Sequence, residues 1–201
     1  MLIMHKVKNM EKQNQGIVLS RKNNVVSMID VTHGRFLATT FRTLMVGGVY
    51  SYDLMPFGTI YTLSHEELVL MPFEIARHDI LFLHHMLEIC LLFAPLGSCA
   101  QGVFQLLLSV YSESSLWSSH KRKKFMVFKL LASLGIWPNR TMPNTRFLQI
   151  AEIPVDRINA EVLELISEKE IEHWICQSMG QDPVFARMKT KIFLERTHHD
   201  D

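Results

Sequence analysis

From Gly16 to about Phe73 the apolar positions come in short runs, and from about Glu74 onward they recur at helical spacing. The first part holds GIVLSR, NVVSMID and RFLATTF, rich in Val, Ile, Thr and Phe and separated by KNN and VTHG. Asn and Gly at those breaks tolerate positive φ, so the three runs predict strands joined by tight turns. VYSYDLM follows Gly47-Gly48, TIYTL follows Pro56-Phe57-Gly58, and ELVLM precedes Pro72. Five or six short strands with no helical pattern among them predict a small closed or partly closed barrel, since closure removes exposed edges. An OB-type and an SH3-like barrel both fit this spacing.

The second part reads as helices. Residues 78 to 94 form one deeply buried helix stopped by Pro95, and residues 100 to 117 a second, with Phe104, Leu107, Leu108 and Tyr111 on one face. A third begins at Lys121, carries Phe125, Phe128, Leu131 and Ala132 on one side, and stops at Gly135 before Pro138. Residues 139 to 154, with two prolines, read as a loop. Residues 155 to 180 read as a fourth helix broken near Ser167. A fifth starts at Asp182 as N-cap with Pro183 at N1. The expected fold is therefore α+β: a tail over residues 1–14, an OB-like barrel over 15–75, and a helical domain over 76–201.

Composition changes this picture little. The 201 residues are 48% apolar and 20% charged, as in ordinary folded chains. Net charge is only +1, but it is unevenly spread. Residues 114 to 151 hold seven bases and no acid, whereas residues 152 to 201 hold eleven acids and six bases. Three cysteines without CxxC spacing exclude an intrachain four-cysteine zinc site and point to reduced thiols. The start lacks the apolar core of a signal peptide. The run Ile80 to Gly97 is interrupted by His84, His85 and Glu88, so it falls short of the roughly 20 apolar residues of a membrane span.

Candidate chemistry is sparse. His84 and Glu88 stand at i,i+4, a spacing metals use, but their Leu, Ile and Phe surroundings favour a structural histidine pair. No nucleophile elbow, phosphate loop or dinucleotide fingerprint occurs, so the chain is not expected to be an enzyme and no cofactor or metal is expected. The basic run Lys121, Arg122, Lys123 and Lys124 opens a helix, where the macrodipole disfavours positive charge by a few tenths of a kcal/mol. Its plain reading is a solvated turn; its sharper one is a phosphate-binding patch. Arg21, Lys22, Arg35 and Arg42 lie at strand ends and turns, near Phe36, Phe41, Tyr50 and Tyr52. Bases with aromatics on a small barrel are the parts of a single-strand groove.

The order of these features resembles the RecO family of DNA repair and recombination-mediator proteins. Ile17, Val18, Leu19, Thr32, Gly34 and Arg35 stand at places similar to that family's opening strand and T-x-x-G-r turn. The segment from His78 to Gly97 is similar to its first long helix. Phe128, Lys129, Leu130, Leu131, Leu134, Gly135 and Pro138 are similar to its F-x-l-k-L-L-x-x-l-G-x-x-P helix, with Met126 where that pattern has its leading Phe. The cysteine module that often follows that helix is missing, and the basic segment after the third strand is reduced to Arg42. The resemblance implies an OB barrel followed by helices, acting without covalent chemistry to anneal single strands and help load a recombinase. It implies single-stranded DNA, a single-strand-binding protein and a RecR-like companion as partners, in the cytoplasm, with no membrane. Arg21, Lys22, Arg35, Arg42, Lys121, Arg122, Lys123, Lys124 and Lys129 are the expected nucleic-acid contacts. The alternative is a protein-interaction scaffold that binds no nucleic acid.

Overall fold

A computed structural model describes residues 14–71, 73–98, 101–112, 119–138, 145–154, 157–180 and 183–190. Five strands, β1 (Asn14–Lys22), β2 (Val25–Asp30), β3 (Gly34–Thr39), β4 (Val49–Phe57) and β5 (Ile60–Leu70), come first. They close into a barrel of order β1-β2-β3-β5-β4. All pairings are antiparallel except β3 with β5, which is parallel through Ala38–Tyr61 and Thr39–Thr62. This is an OB-like closed barrel. The runs TIYTL and ELVLM, set apart by the sequence pattern, belong to one long β5. It bends within the ladder: register slips between Ser51 and Asp53 on β4, and His65 on β5 takes φ 54. A bulge at this place lets one strand turn a barrel corner without ending.

Two hydrophobic layers explain why β1 and β2 are buried on both faces. Val18, Val26, Met28, Phe36, Ala38, Leu44, Tyr50, Tyr52 and Leu63 fill the barrel interior. Ile17, Leu19, Ile29 and Val49 belong instead to the core of the helices, with Phe82, Met86, Leu107, Phe128 and Trp174. Successive strand residues face opposite sides, so a continuous apolar run such as Ile17-Val18-Leu19 suits a strand covered on both. Barrel and helices thus share an interface core. Polar ties reinforce it: Arg35 donates to Leu91 O, Gly97 N donates to Arg35 O, and the Tyr111 hydroxyl donates to Gly47 O.

The helices are α1 (Phe73–Phe93), α2 (Gln101–Ser112), α3 (His120–Ser133), α4 (Thr145–Glu152), α5 (Ala160–Glu164) and α6 (Glu168–Gly180). Helix α1 is longer than expected and kinks at Asp79, whose φ −163 and ψ 87 are not helical. Asp79 Oδ1 accepts from Phe82 N at 2.9 Å, so this residue caps the main part of the helix. Helix α3 ends as expected. Gly135 takes φ 74, its N–H donates to Ala132 O, and Ile136 N donates to Leu131 O.

Three expectations are corrected. Residues 145–152 of the expected loop are helical, because Phe147 and Ile150 lie on one face and pack into the helical core, with Phe147 stacked on Trp174. The bordering prolines bracket this helix rather than interrupt it. The fourth helix breaks where expected, and Ser167 then opens α6 as a capping box with Glu170: Glu170 N donates to Ser167 Oγ, and Ser167 N to Glu170 Oε2. Its start is later, since Arg157 to Asn159 precede α5 and Asn159 caps it through Val162 N. The fifth helix is absent over residues 183–190, which hold only a 3-10 turn at Phe185–Arg187 and then an extended strap. That strap makes its hydrogen bonds to α1 instead of to itself. Asp182 lies outside the described residues.

Candidate nucleic-acid interface

The nine expected contacts separate by burial. Lys123, Lys124 and Lys129 are buried, at 8%, 2% and 4% exposure. Lys123 Nζ donates to Asp79 Oδ2 at 2.7 Å. Lys124 Nζ is held between Glu168 and Glu172, one turn apart on α6. Burial works against the Lys124 ammonium, but the two carboxylates outweigh it and raise its pKa. Lys129 Nζ donates to Ala151 O and Ile153 O at the end of α4, and burial pushes its pKa down to about 8. A phosphate-contacting rim therefore cannot include these three in this arrangement, because their ammonium donors already serve the packing of α3. Arg35 sits at the seam between barrel and helices, and burial lowers its pKa.

Five bases keep access to solvent. Lys121 and Arg122 are half-buried at the start of α3. Arg21 and Lys22 are exposed beside the β1–β2 turn, with Arg21 Nε donating to Asn23 O at 2.9 Å. The Arg42 side chain is 66% exposed and is steered by Glu66, whose backbone O accepts from Arg42 Nη1 at 2.8 Å. Glu66 itself is buried and accepts from the Thr40 hydroxyl at 2.5 Å.

The strand registers place a row of side chains across the outside of the barrel. Lys22 pairs with Val25, Val25 with Thr39, Thr39 with Thr62, and Thr62 with Met55. The neighbouring positions Val26, Ala38 and Leu63 point inward, so this row faces out. Thr39 Oγ1 and Thr62 Oγ1 lie 3.3 Å apart within it. Four inter-strand steps of about 4.8 Å give the row a path of about 19 Å around the wall of the closed barrel. Leu37 and the Phe57–Ile60 pair lie one step along the same face. Met55 is 52% exposed and Phe57, at the tip of the β4–β5 hairpin, 69%. Gly58 at that tip takes φ 62, which a two-residue turn into Ile60 requires. Asp53 borders the row on β4 and pairs with His65 Nδ1 at 2.8 Å.

Of the aromatics near the bases in sequence, Phe36, Tyr50 and Tyr52 are core, and only Phe41 is free, at 95% exposure on the β3–β4 connection. Pattern reading overlooked Phe57 and Met55. Their signal was Phe-Gly at a hairpin tip, where an apolar side chain has no interior to enter. Tyr52 serves another purpose: its hydroxyl donates to Asp30 Oδ2 at 2.7 Å, the same buried carboxylate that accepts from His33 N and pairs with His33 Nδ1. This cluster locks the β2–β3 turn.

The two histidines expected to pair on α1 lie in different surroundings. His84 is exposed and His85 fully buried, and among the described residues no group of three or more His, Cys, Asp or Glu is placed to hold a metal. Cys90 is buried and Cys176 exposed, both as free thiols. Among the described residues no helix is long and apolar enough to cross a membrane. No protein-family model and no curated protein matches the chain.

Proposed function

We propose that the chain is a single-strand nucleic-acid-binding mediator whose contact surface is the outer face of the barrel. The observation that carries this reading is the in-register row from Lys22 to Met55, flanked by Arg21 at one end and by exposed Phe57 at the other. Exposed Phe faces offer stacking worth about 1–3 kcal/mol per base, and bases at the rim supply phosphate contacts. OB barrels use this face and its two flanking hairpin loops for oligonucleotides. The resemblance to the RecO family extends the reading to strand annealing and recombinase loading, with a single-strand-binding protein and a RecR-like companion as partners. Only Arg21, Lys22 and Arg42 stand on the barrel with free guanidinium or ammonium surface, so binding is modest and driven as much by stacking as by charge.

A protein-interaction scaffold is the second reading. It is favoured by the apolar character of Val25, Leu37 and Met55 on the same face and by the acidic border at Asp53.

The test is anisotropy of a fluorescent single-stranded oligonucleotide at roughly 50 and 200 mM salt. Three phosphate contacts predict a log–log salt slope of about −2 for a single strand. Phe57→Ala and Phe41→Ala should each weaken binding about five- to tenfold or more, with the slope unchanged. Absence of binding at the lower salt would refute the reading and favour the scaffold.

A further inference from the structure

Residues Met188 to Thr190 form an extended strap laid across α1, about a hundred residues away in sequence. Met188 is 3% exposed and joins the helical core. Beyond it, the polar anchors converge on one turn of α1. Glu88 Oε1 accepts from Lys189 N at 2.8 Å. Glu88 Oε2 accepts from Thr190 N at 2.8 Å and from the Thr190 hydroxyl at 2.6 Å. His85 Nδ1 lies 2.9 Å from the same hydroxyl, beneath the strap and fully buried. Since the hydroxyl proton goes to Glu88, the hydroxyl accepts from His85 Nδ1–H, which fixes the neutral imidazole with its proton on Nδ1.

We infer that this strap is an acid-operated latch, closed when Glu88 is ionised and His85 neutral and opened when these two residues take up protons. The geometry makes the coupling direct. Neither strap amide is part of a helix or a strand ladder, and both donate to a single carboxylate. A protonated Glu88 turns an O–H toward two amide donors and a hydroxyl that already donates to it, so at least one of the three bonds is lost. A protonated His85 would be a buried cation beneath the strap, with the carboxylate of Glu88 on its own helix acting on it. Among the described residues, His85 is the titratable group facing Glu88, and the strap faces it with two amides and a hydroxyl.

The protonation equilibria run the same way. Burial pushes the Glu88 carboxyl up, but the Lys189 and Thr190 amides and the Thr190 hydroxyl outweigh it and hold it below the usual range. Burial pushes His85 down to about 4 from its ordinary 6.5, although Glu88 and Thr190 act against this. Both folded values are depressed, so the closed strap is favoured at neutral pH and loses that advantage on acidification. If opening hydrates His85, the open fraction rises about tenfold per pH unit below 6.5, and protonation of Glu88 completes the release. This places the device apart from the barrel face.

The test is amide hydrogen exchange by NMR, residue by residue, between pH 7 and pH 4. Protection factors remove the intrinsic pH dependence of exchange. The Lys189 and Thr190 amides should lose protection about tenfold per pH unit below 6.5, while the barrel amide of Val18 stays protected. Glu88→Gln, which replaces one acceptor oxygen by a donor, should leave at least one of the two strap amides unprotected at pH 7 with barrel protection retained. His85→Leu keeps the Lys189 and Thr190 amides on the Glu88 carboxylate but removes the buried imidazole, so its strap should remain closed at pH 7 and open only where Glu88 titrates. Strap protection that persists until the barrel itself unfolds, or that survives at both amides in Glu88→Gln, would overturn the inference. Neither result depends on whether the barrel binds nucleic acid.

Discussion

Lys123 Nζ stands 2.7 Å from Asp79 Oδ2, joining the first turn of α3 to the kink of α1 across 44 residues. The same carboxylate caps α1 with its other oxygen, so one side chain sets the kink and receives the lysine. This explains why a helix begins with bases against its own dipole. The cost of a few tenths of a kcal/mol is offset by ion pairs to neighbouring helices.

Lys124→Met is expected to destabilise the fold by about 3 kcal/mol. Removing one partner of a buried ion pair costs about 3–5 kcal/mol, and the partial exposure of Glu168 and Glu172 puts this case at the lower end. Urea unfolding followed by far-UV circular dichroism measures it. A shift as small as that of a surface substitution, under about 0.5 kcal/mol, would show that the triad contributes little.

Lys129 predicts a pH dependence of the opposite sense to an ordinary surface lysine. Its folded pKa is lowered by burial to about 8 against an ordinary 10.5, so the unfolded chain binds more protons between those values. The group's contribution is therefore fully present above pH 10.5 and is lost as pH falls to 8. The difference in unfolding free energy between the parent and Lys129→Met should change by about 1–2 kcal/mol across this window. A flat difference would mean that Lys129 keeps its proton throughout.

What was legible in the sequence follows from which forces act locally. Strand runs broken by Asn and Gly, the Gly135 stop and the Ser167 break were readable because turn and cap chemistry is set by neighbours in sequence. Helix α4 was hidden because its helicity depends on Phe147 and Ile150 finding Phe128 and Trp174, which are distant in sequence. The strap was misread as a helix for the same reason: Glu88 supplies acceptors from a hundred residues away. In the candidate site, Arg21, Lys22 and Arg42 were legible as turn bases. Lys123, Lys124 and Lys129 were not separable from Lys121 and Arg122, since only tertiary pairing tells a buried base from a solvated one. Phe57 needed the strand registers to be seen as exposed, and Phe41, on the β3–β4 connection, needed the fold to tell it from the core aromatics beside it in sequence.

Gly16→Ala should loosen the barrel closure. A Cβ there would stand 2.8 Å from the Tyr52 hydroxyl and 3.1 Å from Ile29 O, so Tyr52 must withdraw from Asp30. The expected cost is about 1–3 kcal/mol, from a buried carboxylate losing a donor. Tyr52→Phe in the Gly16→Ala background should add little further loss, because the bond is already gone. Additive losses in the double variant would show that the glycine acts through something other than the tyrosine.

The basic run of α3 offers the sharpest separation of folding from binding. Changing Lys121, Arg122, Lys123 and Lys124 together to Ala removes two structural ammonium groups, so loss of oligonucleotide binding in that variant would be confounded with loss of fold. Lys121→Ala with Arg122→Ala removes half-buried bases without touching the Asp79 or Glu168–Glu172 pairs. That pair of changes should keep stability within about 1 kcal/mol and, because these bases lie off the barrel face, keep oligonucleotide affinity within about twofold. Lys22→Ala on the barrel should instead weaken binding and reduce the salt slope by about one contact's worth, roughly 0.7. The reverse pattern, with affinity lost from α3 and unaffected by Lys22, would move the interface from the barrel to the helices.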